Sequence, residues 1–199
     1  MGPISIWHSL SNSERILIEC QETYQKKSYR NKCEIFGSSG VELLSIPLKS
    51  GKHKSISIKD VLISNEVNWR KKHLHSIKEA YVRAPFYDYY YPSLEKLYSN
   101  ETPFLYDFNI NMFNWLTQKL NIQASIEETK AFEKEYEILD LRGLKYSKAT
   151  MDFDPTYPQV YEYKYGFKAD VGIIDLLMNL GPESESFLKE LNIVITNSN

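Results

Sequence analysis

The sequence predicts an α/β fold, a single domain with a mixed or mostly parallel sheet flanked by helices. Strands and helices do not alternate strictly, so α+β stands as the alternative. Three observations carry this expectation. Arg15–Cys20 holds an unbroken Ile-Leu-Ile core, as in strands covered on both faces. Helical stripes then follow one another between Ser64 and Leu120 and make one face of the domain. A chain of 199 residues with 42% hydrophobic content suffices for one well-buried core and is short for two.

In chain order, Ile4, Trp7, His8 and Leu10 read as a short helix after Gly2-Pro3. Glu19 and Glu22 mark where the first strand meets water, and Tyr24–Cys33 reads as a basic, tyrosine-rich loop just past a strand end, where open α/β sheets hold ligands. Gly37-Ser-Ser-Gly40 is a turn, Val41–Leu48 a strand closed by Pro47, and Lys49–Lys54 a basic loop. Ile56–Ile63 reads as a strand whose alternation slips at Lys59-Asp60, which a β-bulge explains.

Ser64-Asn65 caps a helix running to Ala84, with Leu74, Ile77, Tyr81 and Ala84 on one stripe and Pro85 as its stop. Pro92 suits the first position of a helix over Ser93–Tyr98, and Pro103 that of Phe104–Leu120 after the cap Thr102. Ala124–Ile126 is a short strand, and Gln159–Tyr165 alternates as a half-exposed strand. Gly172–Leu180 is a helix, Pro182-Glu183 opens a last one to about Leu191, and residues 192–199 form a frayed tail.

A formal net charge of −2 and a pI near 6.1 provide no global attraction to nucleic acid. Cys20 and Cys33 sit beside apolar residues and read as buried free thiols, which suits a reducing cytosol. No apolar run approaches the roughly 20 residues of a spanning helix, and no leader pattern opens the chain, so a cytoplasmic protein is expected. Phosphate-loop, dinucleotide-binding and nucleophile-elbow motifs are absent, and no cofactor is implied.

Candidate site residues come from constellations. The helix at Ile173–Leu180 is apolar over most of its circumference and leaves a strip of Asp175 and Asn179, an i, i+4 pair. A carboxylate on so buried a helix needs partners, with Arg30 or Arg142 as structural ones and orientation of a base as the functional role. His73, at the border of its stripe one turn after Trp69, is a candidate general base. Metal binding is not expected, since His73 and His75, two apart, point to different sides of a helix. The 15 tyrosines, Tyr87 and Tyr89–Tyr91 among them, read as packing residues.

Several blocks together resemble the WbqC-like protein family. They are Tyr24-Gln-Lys-Lys-Ser-Tyr-Arg-Asn-Lys-Cys33, Leu44-Ser-Ile-Pro47, Trp69-Arg-Lys-Lys-His73 with Ala80-Tyr81, Ala84-Pro85-Phe86-Tyr87, Tyr157-Pro-Gln159, and Ile173 to Ser184. The resemblance spans nearly the whole chain. It implies a cytoplasmic enzyme of bacterial O-antigen or other surface-polysaccharide synthesis, transferring a glycyl or other aminoacyl group to a sugar precursor. In that scheme His73 is the base, Asp175 orients it, Arg30 and Lys26 hold an anion, and Tyr24, Tyr29, Asn31, Trp69, Gln159 and Asn179 line the pocket. A donor carried on transfer RNA would follow Lys49, Lys52, Lys54 and Arg70–Lys72. The competing class is a non-catalytic module binding a nucleotide sugar, a glycan precursor or a protein.

Two departures stand out. The family opens with an apolar strand before its Gly-Pro turn, whereas Met1 directly precedes Gly2-Pro3, so a first strand is expected to be missing. Asp170-Val-Gly172 stands where the family resembles Asn-Leu-Ser, so the hydroxyl is gone.

Overall fold

A computed structural model describes residues 1–49, 56–143 and 150–196. Helices and strands are mixed, and the β structure among the described residues is three separate two-stranded ladders, not one central sheet. β1 (Arg15–Ile18) pairs in parallel with β4 (Ser125–Glu128). β2 (Lys32–Gly37) and β3 (Gly40–Ser45) form an antiparallel hairpin, as do β5 (Thr150–Asp154) and β6 (Asn192–Thr196). Only the first ladder is parallel. The helices are α1 (Ile4–Ser11), α2 (Trp69–Tyr81), α3 (Tyr87–Ser99), α4 (Leu105–Lys119), α5 (Glu162–Tyr165), α6 (Ile173–Leu180) and α7 (Ser184–Glu190).

The elements form where burial rewards them. α6 buries every residue from Ile173 to Asn179, as its all-round apolar pattern requires. α2 begins later than expected, because Asn68 accepts a bond from Lys71 N–H and supplies the cap; Ile77, Tyr81 and Ala84 are buried, with Leu74 partly so. α3 runs through Pro92 instead of starting at it. An interior proline costs roughly 3 kcal/mol, so the burial of Tyr90, Leu94 and Tyr98 must outweigh the lost bond.

Other local expectations change in the folded chain. Residues 34–36, unassigned in the sequence reading, join Lys32 and Cys33 in β2, whose Ile35 and Phe36 enter the core. The phase slip at Lys59-Asp60 is a 3-10 turn, Ile58–Asp60, which the Ser57 hydroxyl caps; it is not a β-bulge. Tyr161, Tyr163 and Tyr165 do not share a strand face, because Gln159 binds both Lys168 N–H and Lys168 C=O and folds the segment into α5. Asn192–Thr196, read as part of the tail, is paired in β6, while residues 197–199 and the basic residues Lys52 and Lys54 lie outside the described residues. Both cysteines are buried free thiols, and burial raises the Cys33 pKa to about 11.

The altered tripeptide has a structural account. Asp170, at φ +55°, accepts from Ser5 N–H at 2.7 Å and Ser5 Oγ at 3.0 Å, so it caps the start of α1, not of its own helix. Gly172 donates to Glu34 C=O at 2.9 Å, and a Cβ there would lie 2.4 Å from that oxygen and 2.5 Å from Cys33 Sγ. A serine would overpack the site. Gly172→Ser is expected to cost about 2–3 kcal/mol, read as a lower urea midpoint with an unchanged slope.

Candidate functional site

The main cavity, about 380 Å³, is a groove whose walls come from four parts of the chain. α1 contributes Ile6, Trp7 and Leu10, and α4 contributes Tyr106, Asn109, Ile110 and Phe113. Every residue from Arg15 to Glu19 lines it, Ile138–Arg142 forms a further wall, and Glu22, Tyr29 and Arg30 close one end. The groove is apolar along most of its length because the half-buried side chains Ile6 and Leu10 of α1 and Ile110 and Phe113 of α4 line it.

One end is polar. Arg30 donates from Nε and Nη2 to the two oxygens of Glu22, at 2.6 and 2.7 Å, and from Nη2 to Arg142 C=O at 3.3 Å. Arg142 binds Asp140, the carbonyls of Glu133 and Lys134, and Glu19 at 3.4 Å. Glu19 also accepts from Thr129 Oγ1 and Tyr136 OH. Burial pushes the Glu22 carboxyl up in pKa, and the Arg30 guanidinium pulls it back only in part. Glu19 and Glu22 therefore do not mark where the strand meets water, since their side chains are only 5% and 8% exposed.

A second, much smaller cavity of about 20 Å³ shares Met1, Tyr29, Arg30 and Asn109 with the groove. His73, Asn31 and Tyr98 line it. His73 is buried; its Nε2 lies 3.2 Å from Ser45 C=O, so that nitrogen carries the proton, and Nδ1 faces the Tyr98 hydroxyl at 3.5 Å. Burial lowers its pKa to about 4, and the ring is neutral at physiological pH. Trp69 packs edge-on against the ring, with centroids 5.0 Å apart.

Asp175 lies in a separate cluster. Its Oδ1 accepts from Tyr157 OH at 2.8 Å and Gln159 Nε2 at 2.9 Å, and Asn179 Nδ2 bonds to Asp175 C=O at 2.8 Å. Its other oxygen, Oδ2, has no hydrogen-bond partner among the described residues. Burial raises the carboxyl to about 6, against the donors Tyr157, Gln159 and Tyr81 that pull it down. Neither arginine named from the sequence pairs with it: Arg30 is held by Glu22, and Arg142 by Asp140 and Glu19.

The fold thus gathers Tyr29, Arg30, Asn31 and His73 around the two joined cavities and leaves Asp175, Gln159 and Asn179 together elsewhere. Tyr24 supports the first group by donating to Asn31 Oδ1 at 3.0 Å, whereas Lys26 is exposed and lines neither cavity. Local pattern does not single out Glu19, Glu22 and Arg142 as site residues. The one sequence signal for the two glutamates is charge just ahead of the Tyr24–Cys33 stretch, and Arg142 has none.

The WbqC-like protein family model matches residues 4–150. The chain belongs to that family. The match contains both arginines of the polar end, the β1 edge and His73, and it stops short of the Asp175 cluster. Nothing among the curated proteins and nothing among the solved structures matches this WbqC-like chain. Among the described residues no cluster of three or more His, Cys, Asp or Glu side chains could hold a metal ion, and no helix is long and apolar enough to cross a membrane.

Proposed function

We propose that the groove is the ligand site of this WbqC-like chain. The ligand is a sugar-linked precursor or an aminoacyl donor of bacterial surface-polysaccharide synthesis, O-antigen included, handled in the cytoplasm. The observation that carries this reading is the groove itself, whose volume of about 380 Å³ falls in the range of small-molecule sites and whose apolar walls end in a few convergent polar groups. The chemical identity of the ligand comes from the family resemblance.

Ligand binding is what the geometry supports most directly, because the guanidinium of Arg30 is committed to Glu22 and is not a free anion anchor. Aminoacyl transfer is the second reading. Its base is His73 Nδ1, an acceptor beside the wall shared with the groove, and the burial that lowers its pKa to about 4 keeps that base weak. In this scheme the amine bonds to the acyl carbon, the acyl bond to the donor's thiol or alcohol breaks, and Nδ1 takes the amine proton through Tyr98 and passes it to that leaving group, while Asp175 acts as a structural group of its own cluster.

Titration with a nucleotide sugar and with a glycyl thioester, followed by NMR, tests both readings. Shifts should concentrate on Ile16, Tyr29 and Ile110, and Ile110→Trp, which fills the groove, should weaken binding by at least about tenfold. Binding untouched by that substitution would move the site elsewhere. His73→Gln should keep binding and lose turnover; equal turnover would remove His73 from the scheme.

A further inference from the structure

The hairpin of β2 and β3 has one bare edge. Ile46 N–H donates to Asn31 C=O at 2.9 Å, so in the antiparallel register Gly40, Glu42 and Leu44 exchange bonds with β2, and Val41, Leu43 and Ser45 turn their N–H and C=O groups away from it. The opposite edge obeys the same parity and is covered: Phe36 N–H, across from Val41, donates to the Tyr81 hydroxyl, and Glu34 C=O, across from Leu43, accepts from Gly172 N–H. On the β3 side only Ser45 C=O has a partner, His73 Nε2 at 3.2 Å. Among the described residues β3 has no neighbouring strand but β2.

Edge strands are commonly blunted by a lysine, a proline or a bulge. β3 has none of these. Val41 and Leu43 leave 45% and 39% of their surface exposed along it, and its single acid, Glu42, belongs to the other face, where it accepts from Ser76 Oγ of α2 at 2.8 Å. The His73 bond to Ser45 and the Ser76 bond to Glu42 show that α2 runs antiparallel to β3 beneath that face. Lys72, one turn before Ser76, is exposed on the same flank of α2, beside Ser45.

We infer that β3 pairs antiparallel with β3 of a second copy of this chain, about a two-fold axis at Leu43. The proposal stands apart from the groove. Bonds between the copies must join outward-facing residues, and an axis at Leu43 uses all three, with Leu43 meeting itself and Val41 meeting Ser45. The neighbouring registers are worse. An axis at Glu42 sets two carboxylates directly opposite each other, and one at Leu44 brings Val41 against Pro47, which has no N–H to give. Charge also favours a second copy as the occupant. With Ser45 of one copy opposite Val41 of the other, Lys72 of the first comes beside Glu42 of the second, and the symmetry repeats that contact. Leu43 against Leu43 supplies the apolar centre.

Sedimentation velocity on the intact protein tests the pairing. One strand edge makes a small interface, so a monomer at about 10 μM should give way to a dimer by about 500 μM. Leu43→Lys sets an ammonium opposite Glu34 of its own hairpin, which the fold tolerates at this exposed position, and should weaken the dimer at least about tenfold. Leu43→Cys should become a disulfide-linked dimer in oxidised glutathione, because an axis at that residue holds the two α-carbons about 5.5 Å apart. Val41→Cys, opposite Ser45, should not link, and the buried Cys20 and Cys33 do not compete. A protein that stays monomeric throughout overturns the inference, whether its Val41 and Leu43 amides resist exchange because the chain itself covers them or exchange freely and await a different protein. A dimer that ignores Leu43→Lys, or links equally well through Val41→Cys, overturns this edge and register.

Discussion

Arg30→Ala should unfold the protein about 3–5 kcal/mol more easily at neutral pH, the cost of leaving a buried carboxylate without its partner. Glu22 keeps its burial and loses both 2.6–2.7 Å bonds, and its carboxyl, already pushed up by burial, rises further. The sign of the pH dependence follows. A carboxyl whose pKa is raised by folding destabilises the native state as pH climbs through that pKa, so the loss should shrink on acidification, when Glu22 is protonated. Adding Glu22→Gln should restore most of the stability at pH 7.5. Urea melts of the two single variants and the double variant, at pH 5 and 7.5, check this. A free, solvated Arg30 would instead predict less than 1 kcal/mol and no rescue.

Asp175→Asn should act in the opposite direction. Raising this carboxyl from an ordinary 3.8 to about 6 on folding costs about 3 kcal/mol at neutral pH. Because the folded pKa lies above the unfolded one, that cost is absent below about pH 4 and complete above about pH 6. The asparagine oxygen still accepts from Tyr157 and Gln159, and its amide, in the place of Oδ2, meets the Tyr81 hydroxyl, which can accept from it. The variant should gain about 1–3 kcal/mol at pH 7.5, with little change near pH 4. Asp175→Ala should lose stability at both pH values, because it strands the Tyr157 hydroxyl and the Gln159 amide. Thermal melts across pH 4–8 separate these outcomes; a flat profile for the native protein would mean that Asp175 is not buried as a charge.

Residue pattern made some of this legible. The run Ile16-Leu17-Ile18 is a strand as its pattern predicts, but only Ile16 is buried and Leu17 and Ile18 are half-buried, so it is not covered on both faces; the helix of Ile173–Asn179 is buried, with Asp175 in need of donors. Which donors was another matter. Tyr157 and Gln159 lie 18 and 16 residues away, and nothing in local spacing distinguishes them from two arginines of the right charge. Glu22 and Arg30 are eight residues apart, beyond any helical or strand period, and only the turn through Tyr24–Tyr29 brings them together. β2 was hidden for a similar reason: Lys32 and Glu34 interrupt the apolar residues, and the hairpin with Gly40–Ser45 decides their faces.

Residue pattern is enough to place the chain in the WbqC-like family, with mixed α and β structure, buried thiols, and a tyrosine-rich basic turn beside its first strand. Those properties depend on composition, short-range periodicity and blocks of neighbouring residues. Only the tertiary contacts settle that Arg30 answers Glu22, that His73 and Asp175 bond to different groups, and that Arg15–Glu19 share a groove with Arg142. Each of these depends on which distant groups share one low-dielectric space, where a charge or a backbone amide must find a partner whatever its separation along the chain.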